Sequence, residues 1–151
     1  PKFTKAFADR INTISRLHVK EAEDGDRLLN GSAYIAPGGM QMEIVAKGDG
    51  YRINVNDGPA RTRHKPSVDV LFESVANEAA SMALGILCTG MGADGAEGMA
   101  RMKEKGAVTI AQNEESSVIF GMPKEAIRKG VVDHIADVQG IINLIVNRTA
   151  L

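Results

Sequence analysis

The sequence predicts an α/β fold, with a doubly wound, mostly parallel β-sheet, helices on both of its faces and an antiparallel β-hairpin. From Ser67 onward, short apolar runs alternate with segments whose apolar residues recur every three or four positions. This alternation is typical of buried parallel strands joined by helices. Before Ser67, two strand-like segments flank Gly48-Asp49-Gly50, which indicates a hairpin with a glycine-containing loop.

The N-terminal elements follow from local patterns. Phe3, Phe7, Ile11 and Ile14 have helical spacing, so the chain is expected to begin with a helix. The strands predicted after it are 17–20, which ends at the acidic turn 23–26; 33–36, which ends at Pro37-Gly38-Gly39; and the hairpin strands 40–46 and 51–55.

The later elements are expected to form successive strand–helix units. Ser67 is predicted to cap a helix whose apolar stripe runs from Val68 to Met82. The glycine-rich turn 90–95 then connects a buried strand to the next helix. The predicted strands are 83–88, 107–111 and 131–135, and the predicted helices are 96–105, 123–129 and 138–146, with Asp137 capping the last.

Composition indicates a single globular domain and excludes several classes of partner. The chain has 151 residues, 44% of them apolar, and its 18 basic and 19 acidic side chains give a net charge of -1. No overall positive field is present to hold nucleic acid or an anionic membrane surface. Cys88 is the only cysteine, so no intrachain disulfide forms, and we expect it to be a small core side chain at the end of a buried strand. No segment resembles a signal peptide or a membrane span, which favours the cytoplasm without membrane insertion.

The turn Thr89-Gly90-Met91-Gly92-Ala93-Asp94-Gly95 is the place to expect a site, because ligands bind at the carboxyl ends of strands in such sheets. In one interpretation Asp94 caps the next helix and Glu97 completes a capping box. In a second, Gly90, Gly92 and Gly95 form a dinucleotide-binding fingerprint with Glu114 as the ribose-binding acid. However, Asp94 would then repel the pyrophosphate at the helix N-terminus. In a third, Asp94 is the acid of a hydrolytic triad, bonded to an imidazole that activates a serine.

Several segments along the chain share a resemblance to one family. They are KEAEDGD at 20–26, YIAPGG at 34–39, HKPSVDVLF at 64–72, TGMGADG at 89–95, AQNE at 111–114 and FGMP at 120–123. These segments resemble the signatures of the chemotaxis protein-glutamate methylesterases. The resemblance implies a doubly wound α/β fold and hydrolysis of glutamate methyl esters on methyl-accepting chemotaxis receptors. Many members also deamidate receptor glutamines, and the residues used are a serine, a histidine and an aspartate.

The resemblance assigns roles to particular residues. Asp94 matches the family's aspartate, and Met91 matches a methionine beside the active site that helps to form the oxyanion pocket. Amides around Gly90 and Gly92 are further candidates for the oxyanion pocket or the wall of the site. Neither a cofactor nor a metal is expected in this chemistry.

The rest of the family's catalytic machinery is not found in the chain. In the family, the serine lies in a glycine-rich turn and the histidine at a strand end, both upstream of the segment that the start of this chain resembles. Ser32 follows a glycine but leads into a strand, and His18, His64 and His134 are expected to be structural or exposed.

We therefore expect residues 1–151 to be an N-terminally truncated methylesterase catalytic domain that is inactive by itself. The family's receiver domain is expected only in the full-length protein. The upstream segment should hold two strands of the parallel sheet and the helix between them, so that this chain exposes an apolar face and unpaired strand edges. The non-enzyme alternative is a fragment that only binds receptors.

Overall fold

The computed structural model describes residues 2–61 and 63–149, and within them the strands form three separate sheets. The helices are α1 (Lys2–Ile14), α2 (Val68–Glu78), α3 (Ala96–Glu104), α4 (Met122–Arg128) and α5 (Val138–Thr149), with a 3₁₀ turn at Ala80–Met82. The strands are β1 (His18–Glu21), β2 (Ser32–Ile35), β3 (Gln41–Lys47), β4 (Gly50–Asn56), β5 (Leu84–Leu87), β6 (Val108–Gln112) and β7 (His134–Ala136).

The N-terminal unit, which we define as α1, β1 and β2, is a small parallel arrangement. β1 and β2 pair in parallel from His18 with Ser32 to Glu21 with Ile35. α1 packs on both strands through its small-residue side, where Ala8 is fully buried. The helix is where its periodicity predicts it, but its apolar stripe faces outward, since Phe3 and Ile14 are each 76% exposed.

The hairpin of β3 and β4 is antiparallel, as predicted, and packs against α2. The hydroxyl of Ser74 on α2 accepts a hydrogen bond from the Ile44 amide of β3 at 2.9 Å. Ile53 and Met42 form a buried cluster with Ala22, which joins the hairpin to the segment after β1.

The C-terminal unit, defined as α2, β5, α3, β6 and α4, holds the best-buried core of the described residues. β5, β6 and β7 are parallel neighbours in that order, and α3, α4 and α5 all contact β6. The buried apolar residues of this region are Ala76, Leu87, Ala96, Met99, Met102, Ala107, Ile110, Ala111 and Ala126. The parallel strands, flanking helices and hairpin confirm the predicted fold class, although the parallel strands lie in two sheets that are not hydrogen-bonded to each other.

Three predictions about where elements end and how they are buried are wrong. The helix predicted to reach Met82 ends at Glu78, because β5 must be extended from Leu84 to pair with Val108. The strand predicted at 131–135 lies instead at His134–Ala136. The preceding residues are held by Thr109, whose hydroxyl donates to the Val131 carbonyl at 2.6 Å.

The third error concerns the end of β5. Only Gly85 and Leu87 of β5 are buried, so Cys88, beyond its last residue, is exposed rather than part of the core. No helix among residues 2–61 and 63–149 is long and apolar enough to cross a membrane.

Candidate active site

The loop from Cys88 to Gly95 leaves the carboxyl end of β5 and is tied to the loop that follows β6. Gln112, the last residue of β6, is almost fully buried. Its side-chain oxygen accepts from the Thr89 amide at 2.7 Å, and its nitrogen donates to the Ser116 carbonyl at 2.9 Å. One side chain thus fixes the start of both loops.

A second set of hydrogen bonds joins the two loops through the backbone of Gly90. The Gly90 N–H donates to the Ile119 carbonyl at 3.0 Å, and the Gly90 carbonyl accepts from the amides of Gly121 at 3.1 Å and Met122 at 2.8 Å. A Cβ on Gly121 would lie 2.5 Å from the Gly90 oxygen, so the close approach requires glycine there. The backbone of Gly90 therefore holds the two loops together, and its N–H is not free to donate to a ligand.

The turn into α3 requires glycine at its end. Gly95 has a φ of +97°, and a Cβ added to it would lie 2.6 Å from a methyl carbon of Leu87. Both the left-handed backbone and the contact with β5 exclude a side chain. This geometry lets the chain reverse directly over the strand and places Asp94 beside α2.

The carboxylate of Asp94 binds the N-terminus of α2. Its Oδ1 accepts from the Ser67 hydroxyl at 2.9 Å and from the Asp69 N–H at 3.0 Å. Its Oδ2 accepts from the Val68 N–H at 2.8 Å. Ser67 is the N-terminal capping residue of α2, but its own side chain makes no capping bond, so Asp94 performs that role from another part of the chain.

Asp69, which lies on α2, in turn binds the N-terminus of α3. Its Oδ1 accepts from the N–H groups of Gly95 at 3.0 Å and Gly98 at 2.7 Å. Asp69 is 7% exposed, and burial, assisted by the negative charge of Asp94, raises the pKa of its carboxyl. Asp94 and Asp69 thus cap each other's helices, and α2 and α3 meet at their N-terminal ends.

The reciprocal caps correct the predicted capping box. Asp94 does cap a helix, but the helix is α2 rather than α3. The carboxylate of Glu97 pairs with Lys129 at 2.7 Å, and this ion pair holds the pKa of Glu97 below its usual range. The box was inferred from residues three apart, whereas the actual cap comes from about 26 positions away in the sequence.

Comparison with known proteins assigns the chain to a family. The family model described as CheB methylesterase matches residues 1–145. The chain belongs to the CheB methylesterase family. It is 55% identical over 141 residues to a protein-glutamate methylesterase/protein-glutamine glutaminase of Escherichia coli strain K12, a match that covers 93% of this chain. The protein of the same name from Salmonella typhimurium strain LT2 is 54% identical over 141 residues.

A solved structure supports the same family at the level of the fold. The chain matches the crystal structure of the Thermotoga maritima CheB methylesterase catalytic domain with a TM-score of 0.90 at 35% identity. That match covers 93% of this chain and 75% of the Thermotoga chain. The chain spans only 40% of the length of the curated relatives it matches.

The family membership and the geometry together disfavour the dinucleotide interpretation. The position where a pyrophosphate would bind is the N-terminus of α3. There the Asp69 carboxylate already accepts from Gly95 and Gly98. Glu114, the proposed ribose-binding acid, is exposed in the loop after β6.

The remaining predicted residues lie as follows. Met91 is 78% exposed on the loop beside Asp94. His18, His64 and His134 are all exposed, as expected, and none of them is among the hydrogen-bond partners of Asp94 in the described part of the chain. Partial burial raises the pKa of the Cys88 thiol even though the residue lies at the surface, and this disfavours the thiolate that a nucleophile requires.

Sequence reasoning missed two of the residues that shape this site. Gln112 and Asp69 are buried polar residues that fix the loop from opposite sides. Asp69 lies within the segment 64–72 that resembles the family, so a signal was present, but nothing local indicates that its side chain reaches α3. Gln112 has the corresponding signal in the segment 111–114.

Proposed function

We propose that this chain provides the acidic member of a Ser-His-Asp site that hydrolyses glutamate methyl esters of methyl-accepting chemotaxis receptors. The same site would deamidate receptor glutamines, as the second half of the relatives' name indicates. The observation that supports the proposal best is Asp94, whose half-buried carboxylate is held by three donors on a loop at the carboxyl end of β5. This is where acids of hydrolytic triads act in α/β sheets.

In the proposed reaction Asp94 orients and stabilises a histidine. Acyl transfer requires the imidazole to take the serine proton while the serine oxygen attacks the ester carbonyl. Methanol leaves, an acyl-enzyme remains, and water repeats the attack to release the glutamate. Asp94 accepts the other imidazole N–H, selects the tautomer and stabilises the imidazolium without taking the proton.

The serine and the histidine are proposed to come from residues outside 1–151. The Thermotoga catalytic domain extends beyond the region that this chain matches, since only 75% of it is covered. In addition, β1 pairs only with β2, and β5 only with β6, among the described residues. Two strands and a helix placed between these open edges would join the two parallel sheets and bring their catalytic side chains beside Asp94.

The oxyanion is proposed to form beside Met91. Because the Gly90 N–H already donates to Ile119, the candidate donors are the next two amides along the turn, those of Met91 and Gly92. An amide donor aimed at a developing oxyanion typically contributes about 3 kcal/mol. Gly90 and the Met91 side chain would form the wall of the pocket.

The proposed partners follow from the family. The proposed substrate is a segment of a chemotaxis receptor that bears a glutamate methyl ester on the cytoplasmic side, so the protein is proposed to act in the cytoplasm. A receiver domain in the full-length protein would control access to the site.

The test is an assay of methanol release from methylated receptor by the full-length polypeptide that contains this sequence. We expect activity in that protein, a loss of about 10³-fold or more with Asp94→Ala, and no activity in residues 1–151 alone. Ser32→Ala is the matched control, because Ser32 lies in β2 and is expected to leave turnover unchanged. Turnover that persists after Asp94→Ala would refute the proposed role.

A further inference from the structure

The first turn of α2 surrounds the carboxylate of Asp94 with three donors of fixed geometry. Two are backbone N–H groups, of Val68 and Asp69, and the third is the hydroxyl of Ser67. We infer that Ser67 is a positioning residue of the active site, which fixes Oδ1 of Asp94 so that Oδ2 is the atom that accepts the imidazole N–H. This inference rests on the proposed function. It adds Ser67 to the site and identifies Oδ2 as the atom of Asp94 that binds the histidine.

The assignment of Oδ2 comes from counting acceptor positions. Each carboxylate oxygen can accept about two hydrogen bonds. Oδ1 already accepts from Ser67 at 2.9 Å and Asp69 at 3.0 Å, whereas Oδ2 accepts only from Val68 at 2.8 Å. Oδ2 therefore has the vacant acceptor position, and Asp94 as a residue is only partly buried.

Ser67 is itself immobilised, which a positioning residue must be. It is 2% exposed, and its N–H donates to the side-chain oxygen of Gln41 at 2.9 Å. Gln41 is 1% exposed and donates in turn to the Pro59 carbonyl at 2.9 Å. The hydroxyl of Ser67 thus points to Asp94 from a rigid, buried support, and tight support of this kind keeps a catalytic group within the small tolerance that the chemistry requires.

Ser67 does not reach the reacting atoms, so its effect must pass through Asp94. Removing the hydroxyl leaves Oδ1 with one donor and allows the carboxylate to rotate away from the orientation in which Oδ2 meets the imidazole. Substrate binding does not depend on this rotation. The expected signature is therefore a lower kcat with an unchanged KM.

The experiment compares four variants of the full-length polypeptide in the methanol-release assay. Ser67→Ala removes the hydroxyl, Ser67→Cys keeps the volume but replaces the hydroxyl with a weak donor, and Ser67→Thr keeps the hydroxyl. The added methyl of Ser67→Thr has space available, because Ser67 lines a cavity of about 80 Å³ with Pro66 and Leu71. Ser74→Ala is the matched control, since Ser74 is another buried serine of α2, and it bonds to β3 and to its own helix instead of Asp94.

We expect Ser67→Ala to lower kcat by about tenfold and Ser67→Cys by a smaller factor, with KM within about twofold of wild type. Ser67→Thr should stay within about twofold of the wild-type kcat, and Ser74→Ala should have the wild-type kcat even if it lowers thermal stability as much as Ser67→Ala.

Wild-type kcat in Ser67→Ala would overturn the inference, as would a loss in Ser67→Thr as large as in Ser67→Ala. If Ser67→Ala does not fold, a wild-type kcat in Ser67→Cys would overturn the inference instead. Failure of the proposed function is a separate result, because it appears as undiminished turnover in Asp94→Ala, the variant that tests that proposal.

Discussion

The N-terminal and C-terminal units are both helices packed on parallel strands, but they differ in how completely the chain covers them. In the C-terminal unit Met99 and Ile110 have no exposed surface, and buried Asp69 has its hydrogen bonds satisfied by α3. In the N-terminal unit Ile14 is 76% exposed, and every residue of β2 is only half-buried. Similar patterns of apolar residues are therefore buried in one unit and exposed in the other, depending on whether the chain places another element against them.

The largest expected loss of stability comes from truncating a core side chain of the C-terminal unit. Met99 is fully buried among Leu87, Ala96 and Ala126, so Met99→Ala leaves a cavity and should lower the free energy of unfolding by about 2–5 kcal/mol. Urea denaturation followed by circular dichroism measures this change. A loss below about 1 kcal/mol would mean that the core of the C-terminal unit repacks freely.

The contact between α2 and α3 should tolerate no added methyl group. A Cβ on Gly98 would lie 2.6 Å from the Phe72 Cβ and 3.1 Å from the backbone of Asp69, so Gly98→Ala should cost about 1–3 kcal/mol of stability. Gly50→Ala in the hairpin is the control, since nothing lies within 4 Å of a Cβ there. Equal stabilities of the two variants would contradict the close approach of the helices.

Two substitutions at Asp69 separate the effect of its charge from the effect of its hydrogen bonds. Asp69→Ala removes the acceptor of two α3 amides and should lower the free energy of unfolding by about 1–2 kcal/mol. Asp69→Asn retains an oxygen that can accept both bonds. It should therefore be at least as stable as the wild type at neutral pH.

The pH dependence follows from the raised pKa of Asp69. Because the native state binds this proton more tightly than the unfolded chain, the stability contributed is complete below the unfolded pKa near 3.8 and is lost as pH rises through the folded pKa. Asp69→Asn should remove that loss, so its stability rises relative to wild type over this range. A parallel pH dependence in the two proteins would show that the carboxyl does not titrate abnormally.

The smallest expected effect is on the exposed stripe of α1. Ile14→Ala should change the free energy of unfolding of residues 1–151 by less than about 0.5 kcal/mol, because Ile14 is already 76% exposed. In the full-length polypeptide the same substitution should cost more if further residues cover this face. An equal, small effect in both would count against the proposed upstream strands and helix.

Much of the fold was predictable from the sequence because it depends on local patterns. Helical spacing predicted α1, alternation around Gly48-Asp49-Gly50 predicted the hairpin, and the apolar runs predicted β5 and β6 within one or two residues. The alternation of strands and helices predicted that the turn 89–95 follows β5, and the family resemblance of this turn is the basis of the role proposed for Asp94. The predictions that were wrong concern ends and partners, such as the break after Glu78 and the exposure of Cys88, which depend on strand pairing.

By itself, the sequence determined which segments become helices and strands and that a carboxylate stands in the turn after β5. Only the tertiary structure decided what that carboxylate binds. Asp94 caps α2 and Asp69 caps α3 across 25 to 29 positions of sequence, because the two helices meet at N-termini whose N–H groups have no partners within their own helices. A local pattern can identify a helix end that needs an acceptor, but the acceptor itself is chosen by whichever carboxylate the packing of the helices brings within about 3 Å.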